Sequence, residues 1–296
     1  MCKVKKIIDF FTQKILKPRV INKEIRSQTT YGAFRESDNI ENYSSSSEYY
    51  SCIYKETPFV FFVKKEIGSL LKRVNDKLIN IFEFKIGIEL EFFCKTDFNY
   101  LSISCKTFCK NNDIKIQDIV EECVKNQYEV QFDIYDDIFL LVEHYKILKE
   151  FLISSFSADF RAKPRYFDAG NALQVNLSLF KNGINIFSGD DRSYLQKAVN
   201  GLIYYTNYFL PFYIDNNSCL DRYEKEFNNY LYLNKVIPAP SFNACGTNNR
   251  TASVRIPTPK SFRNKELYEK ENRERKRLEF RTPSGDSNIE LVLYGV

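Results

Sequence analysis

Five segments of this chain alternate between apolar and polar side chains with a period of two: 86–93, 127–134, 172–179, 253–256 and 277–281. Period two is the repeat of an extended strand, in which alternate side chains share one face. Strands of this kind must pair, so a sheet with one apolar and one polar face is the main constraint on the fold. In Arg277-Leu278-Glu279-Phe280-Arg281, the residues Arg277, Glu279 and Arg281 project one way while Leu278 and Phe280 project the other. Glu89 and Glu91 oppose Ile88, Leu90 and Phe92, and Glu129, Gln131 and Asp133 oppose Val130, Phe132 and Ile134. Gln174, Asn176 and Ser178 share a third polar edge, and Arg255 lies in the short run Ser253-Val254-Arg255-Ile256. Alternation alone fits an ordinary solvated sheet. Neighbouring carboxylates repel, however, and a site that gathers them requires a cation.

Between these strands the chain reads as helices. Residues 59–84 are a short apolar run followed by an amphipathic helix, and 113–125 is helix-like, with Glu121 and Glu122 near its end. Asp136 or Asp137 can cap a long apolar helix to about Phe156, Ser188 to Asp190 a helix to about Tyr208, and Cys219 to Tyr232 forms another. Lys181-Asn182-Gly183 is a hairpin turn, with residues 184–187 as its return strand. Interleaved strands and helices give an α+β fold, a largely antiparallel curved sheet with flanking helices, over residues 57–296. Residues 1–56 precede it as a basic helix and a polar, Ser-rich linker. The basic helix reads as a surface helix on its own domain, with a membrane or partner contact as the alternative.

Composition excludes several classes. A net charge of +5, from 43 Lys and Arg scattered against 38 Asp and Glu, does not form a nucleic-acid footprint. The eight cysteines contain no CxxC pair and the single histidine is His144, so a zinc site is poorly supported and the thiols read as reduced. His144 sits in the long apolar helix and reads as structural rather than as a base. The lack of a secretory signal or a transmembrane-length apolar stretch points to a cytoplasmic protein.

If the five strands join one sheet, carboxylates and amides at its centre meet arginines at its edge. Magnesium and manganese favour oxygen ligands, and arginines suit phosphates and carboxylates. Phosphoryl transfer from a nucleotide uses both.

Several segments, in this order, resemble the catalytic domain of the glutamine synthetase family: GIELEFF, NQYEVQFDI, KPRYFDAGNALQVNLSLFKNGINIF, NRTASVRIP and RLEFRTPSGDSN. The resemblance implies that Glu91, Glu121 and Glu129 hold one magnesium or manganese ion, with Glu121 eight residues before Glu129. It implies that Glu89, Gln174 and Glu279 hold a second, weakened because Gln174 replaces a histidine. Asn176 replaces the family's other histidine beside the nucleotide, and Ser178 keeps its serine. Arg255 and Arg277 match arginines around ATP. Gly170, Arg250 and Arg281 match substrate-binding positions, and the catalytic roles fall to Arg250 and Glu129. The same comparison puts Ala169 in place of an asparagine, Tyr232 in place of the arginine for the substrate carboxylate, and Pro238 in place of the flap glutamate that takes a proton from ammonium. The implied activity is ATP-dependent joining of a carboxylate to an amine or ammonia through an acyl phosphate. The alternative is a catalytically silent relative that binds nucleotide, metal or a partner. A homo-oligomer is possible, but the family's large ring is in doubt because residues 1–84 do not resemble its small β-rich domain.

Overall fold

Alternation does become a sheet. The computed structural model describes residues 58–165, 168–188, 193–215, 217–223, 239–240, 242–258 and 265–296. The expected basic N-terminal helix, the Ser-rich linker, Tyr232 and Pro238 lie outside them.

In chain order the described elements are α1 (Pro58–Leu78), β1 (Glu83–Phe93), α2 (Phe98–Asn111), β2 (Ile116–Glu121), β3 (Gln127–Phe132), α3 (Ile138–Phe156), β4 (Leu173–Lys181), β5 (Ile184–Asn185), α4 (Ser193–Tyr213), a 3₁₀ helix (Asn217–Tyr223), β6 (Phe242–Thr247), β7 (Ala252–Ile256), α5 (Lys265–Arg275), β8 (Leu278–Phe280) and α6 (Ile289–Gly295). One sheet takes all eight strands in the order β2-β3-β1-β4-β8-β7-β6, with β5 returning beside β4. Every pairing is antiparallel except β6 with β7. The short β8 thereby bridges the β1–β4 half to the β6–β7 edge.

The apolar alternates fill the core. Ile88, Leu90, Phe92, Val130, Val175, Leu278 and Phe280 pack in one cluster with Leu141, Leu148 and Leu152 of α3, Leu195 and Val199 of α4, and Ile289 and Val292 of α6. Burying each such side chain contributes about 1.5–3 kcal/mol, so this face fixes the register and leaves the other alternates no choice of side.

The apolar run at Phe59 is part of α1 itself. Val63, Ile67, Leu70 and Leu71 are buried at helical spacing, and Pro58 suits the first turn because its missing N–H has no intrahelical acceptor there. The long helix starts as expected: Asp137 Oδ1 accepts hydrogen bonds from the Phe139 and Leu140 amides at 2.8 and 3.1 Å. Asp137→Ala is expected to cost about 1 kcal/mol, read as a lower urea midpoint at unchanged slope. An unchanged midpoint would show that the cap carries no stability. At the hairpin, Asn182 and Gly183 have φ of 53° and 74°, the left-handed pair that a two-residue turn demands.

Three expectations are corrected. Residues 116–121 form β2 rather than a helix: Ile119 is buried opposite Val130, and β-branched residues tolerate this pleated surface better than a helical turn. The return strand after the hairpin is only Ile184–Asn185, because the chain turns away at Ile186. From Cys219 the chain continues a 3₁₀ helix to Tyr223, and the rest of that expected helix lies outside the described residues. Ser188 is described, but the capping segment 189–192 lies outside as well.

Candidate functional site

Cross-strand register assembles the polar face. Glu91 stands opposite Glu129, Glu89 lies between Gln131 and Gln174, and Glu279 lies between Asn176 and Arg255. Residues directly opposite on neighbouring strands share a face at contact distance.

At the β1–β3 end, one carboxylate oxygen each from Glu91, Glu122 and Glu129 come within 4.8 Å of one another. The residue that joins Glu91 and Glu129 from the end of β2 is Glu122, just past the strand, rather than Glu121. Glu121 pairs with Tyr128 and Val120 with Glu129, so Glu121 belongs to the apolar-side alternation while the next residue returns to the Glu129 side. Glu121 is exposed. The resemblance assigns this place to Glu121, and the register brings Glu122 to it.

The trio accepts hydrogen bonds from neutral groups. Gln131 Nε2 donates to Glu129 at 2.8 Å, while Gln174 Nε2 and the Ala172 amide donate to Glu91 at 2.9 and 2.8 Å. The Cys123 amide donates to Glu122 at 3.4 Å. Burial pushes the Glu129 carboxyl up to about 9, reinforced by the charges of Glu89, Glu91 and Glu122. Burial raises Glu91 and Glu122 as well, with Glu122 adding to the effect on Glu91. A hard oxygen-binding cation fits such a donor set, since it supplies the charge that these carboxylates lack.

The β4–β8–β7 side is different. Both oxygens of Glu279, which is 1% exposed, are taken by arginines: Oε1 by Arg281 Nη1 and Oε2 by Arg255 Nη1, each at 2.6 Å. Arg281 Nη1 also donates to Gln174 Oε1 at 2.5 Å. Burial acts to raise the Glu279 carboxyl, yet Arg281 and Arg255 overcome it and hold it below the ordinary range. Glu89 is raised by burial and by Glu279, and accepts one hydrogen bond, from Asn176 Nδ2 at 3.0 Å. Arg277 Nε donates to Asn176 Oδ1 at 2.8 Å. The Ser178 hydroxyl donates to the Lys276 carbonyl at 3.0 Å, so it anchors the approach to β8.

Beside the trio, a pocket is lined by Glu91, Glu122, Gly170, Arg222, Arg250 and Arg281 among others. Gly170 is required by space: a Cβ there would lie 2.4 Å from the Ala162 carbonyl oxygen and 2.6 Å from Arg222 Cγ. Ala169 also lines the pocket, and Gln127 Nε2 holds the Gly170 carbonyl at 3.0 Å.

Sequence reasoning passes over Arg222, which is 1% exposed and threads under this loop. Its Nη1 donates to Tyr223 Oη and to the Thr282 and Pro283 carbonyls at 3.0, 3.1 and 3.0 Å, and its Nη2 to the Arg281 carbonyl at 2.9 Å. No local pattern marks it, because most of its partners lie about sixty residues away. His144 is remote in chemistry: its Nδ1 meets Tyr135 Oη at 2.8 Å in the core, a structural contact. The cysteines among the described residues form no disulfide. The charged segment after Arg255 contains α5, most of whose described residues are exposed.

A polar sheet face that sets a carboxylate trio beside several arginines offers groups chemically suited to a cation and to an anion. The chain belongs to the glutamine synthetase family: residues 97–295 match the model of the glutamine synthetase catalytic domain. It is 32% identical over 141 residues to the glutamine synthetase of Helicobacter pylori strain 26695, covering 47% of this chain and 26% of that protein. Against the glutamine synthetase of Thermococcus kodakarensis it is 25% identical over 189 residues, covering 62% of this chain and 38% of that protein. The chain thus spans well under half the length of these relatives. The Plasmodium falciparum glutamine synthetase solved by cryo-electron microscopy shares the fold, with a TM-score of 0.58 at 18% identity, over 84% of this chain and 56% of that one. Among the described residues no helix is long and apolar enough to cross a membrane.

Proposed function

We propose that this domain is an ATP-dependent carboxylate–amine ligase of the glutamine synthetase type, and that it acts through an acyl phosphate. The observation that carries the reading is the convergence of Glu91, Glu122 and Glu129 within 4.8 Å, next to an arginine-lined pocket. A magnesium or manganese ion held by these three carboxylates would supply charge neutralisation for phosphate and carboxylate oxygens. Of the other ligand positions drawn from the resemblance, Gln174 supports the trio by donating to Glu91 at 2.9 Å, while Glu89 and Glu279 are engaged elsewhere.

Each remaining residue has a physical task in this reading. Arg255 and Arg277 face the ATP phosphates, with Asn176 orienting Arg277. Gly170 lets the loop approach the amino-acid substrate without a side chain, and Arg250 and Arg281 attract its carboxylates and the transferred phosphoryl group. The acceptor carboxylate attacks the γ-phosphorus of ATP, ADP departs, and an amine then displaces phosphate from the acyl phosphate. Glu129, ionised when it holds the ion, would offer a carboxylate oxygen to a proton of that amine. With Ala169, Tyr232 and Pro238 standing where the resemblance implies an asparagine, the arginine for the substrate carboxylate and the flap glutamate, and with neither family histidine present, we expect an acceptor or amine other than glutamate and ammonia, or slow turnover.

A second reading, a silent relative that binds nucleotide, is favoured by the arginines already engaged on Glu279. ADP release from ATP, measured with manganese or magnesium across a panel of amino acids and amines, separates the two. Release that requires an added carboxylate and falls on the order of 100-fold in Glu129→Ala is the expected result. Nucleotide binding without carboxylate-dependent release would establish the silent reading instead, and vigorous glutamine formation would refute the expected change of substrate.

A further inference from the structure

We propose that this chain is a one-ion protein, in which the Arg255–Glu279–Arg281 triple stands where the family resemblance implies a second divalent cation. The inference rests on the reading that Glu91, Glu122 and Glu129 hold the first ion. The residues implied for the second are Glu89, Gln174 and Glu279, and each is already satisfied differently. Glu279 has a guanidinium on each oxygen, at 2.6 Å. Gln174 gives its carbonyl to Arg281 at 2.5 Å and its amide N–H to Glu91 at 2.9 Å. Glu89 pairs with Asn176 at 3.0 Å, which is in turn fixed by Arg277 at 2.8 Å.

A guanidinium has the same sign as a divalent ion but is planar, tethered and permanently charged. Glu279, Arg281 and Gln174 are 1%, 5% and 3% exposed, so an ion entering there would strip buried charged partners from one another. The first trio offers no such obstacle, since its hydrogen bonds come from amides. In the triple, the buried Nε–H groups of Arg255 and Arg281 have no partner among the described residues. Both atoms are closed off from solvent as the triple stands, so they add buried positive charge rather than a docking point. The positive charge facing a bound nucleotide would then come from the protein itself rather than from a second metal.

Counting ions tests this. The full chain is titrated with manganese alone, free Mn2+ being followed by its paramagnetic resonance signal, in the wild type, Glu89→Gln and Glu129→Gln, with circular dichroism checking that each variant is folded. The expected result is one ion per chain in the wild type, one in Glu89→Gln, and affinity weakened on the order of 100-fold in Glu129→Gln. Two ions in the wild type, with one lost in Glu89→Gln, would overturn the inference while leaving the carboxylate trio as a metal site. A single ion lost in Glu89→Gln but kept in Glu129→Gln would overturn it too. No bound ion in the wild type would remove the reading of the trio on which it rests, and the inference with it.

Discussion

Arg222→Ala is expected to destabilise the domain by about 4 kcal/mol, the largest effect of any single substitution considered for this chain. Two costs combine. Arg222 is the largest of the fully buried side chains among the described residues, so truncation leaves a cavity under the Gly170 loop. It also removes the donors that tie the carbonyls of Arg281, Thr282 and Pro283 to the 3₁₀ helix. Those carbonyls directly follow β8, so their release would let Arg281 move away from Glu279. Arg222→Lys keeps the charge without the planar fork, and is expected to restore less than half of the loss. Urea unfolding followed by circular dichroism measures both. A loss under about 1 kcal/mol for the alanine variant would mean that water replaces the guanidinium without penalty.

The second large effect is a dependence of stability on pH that a divalent ion abolishes. Glu129 titrates at about 9 in the folded chain against an ordinary value of 4.5, and Glu91, Glu122 and Glu89 are shifted the same way. A carboxyl whose folded value is raised binds its proton more tightly in the folded state. Its contribution is complete below the ordinary value and is lost as pH rises toward the folded one. Ion-free protein is therefore expected to melt at progressively lower temperature from about pH 5 to pH 9. Glu129→Gln, a neutral isostere, should flatten the slope and melt higher than wild type at alkaline pH. Manganese should act most strongly at that alkaline end, because it binds the ionised carboxylates. Differential scanning calorimetry across this range is the measurement. A melting temperature that rises with pH in chelator would contradict the assignment of raised values to the trio.

The polar sheet face was legible wherever a strand repeats its alternation for several residues. β1 and β4 do so for most of their length, and in both the inward alternates are large enough to fix the face. β8 has only three residues, yet its flanking arginines continue the pattern on either side. The missed elements lack that regularity. In β2 the register shifts between Ile116 and Asp118, so its spacing imitates a helix. α2 buries Leu101, Ser102, Cys105 and Cys109, an inward stripe that is small and partly polar rather than aliphatic. β6 runs parallel to β7 through Asn243, Ala244, Cys245 and Gly246, with no alternation for a reader to find.

At the site, strand registers made Glu89, Glu91, Glu129, Gln174 and Glu279 neighbours that their spacing already suggested. What spacing could not convey was competition among them. Gln174 has one amide to share between Glu91 and Arg281, and Glu279 is claimed by two arginines, outcomes that depend on distances across strands. Arg222 was hidden for a similar reason, since its role is set by backbone carbonyls and not by its sequence neighbours.

The position of β8 between β4 and β7 also dictates an order of events during synthesis. Gln174 and Arg281 are 107 residues apart, and pairings of such separation pay their loop-closure entropy late. On a ribosome, the glutamates of β1, β2 and β3 emerge well before Arg255, Arg277 and Arg281, by roughly ten to thirty seconds between Glu129 and Arg281 at ordinary elongation rates. During that interval the early strands carry their acids without the arginines that later accompany them. The three residues of β8 then join the two parts of the sheet, so the charged face is completed from its C-terminal side and only once residue 281 is available.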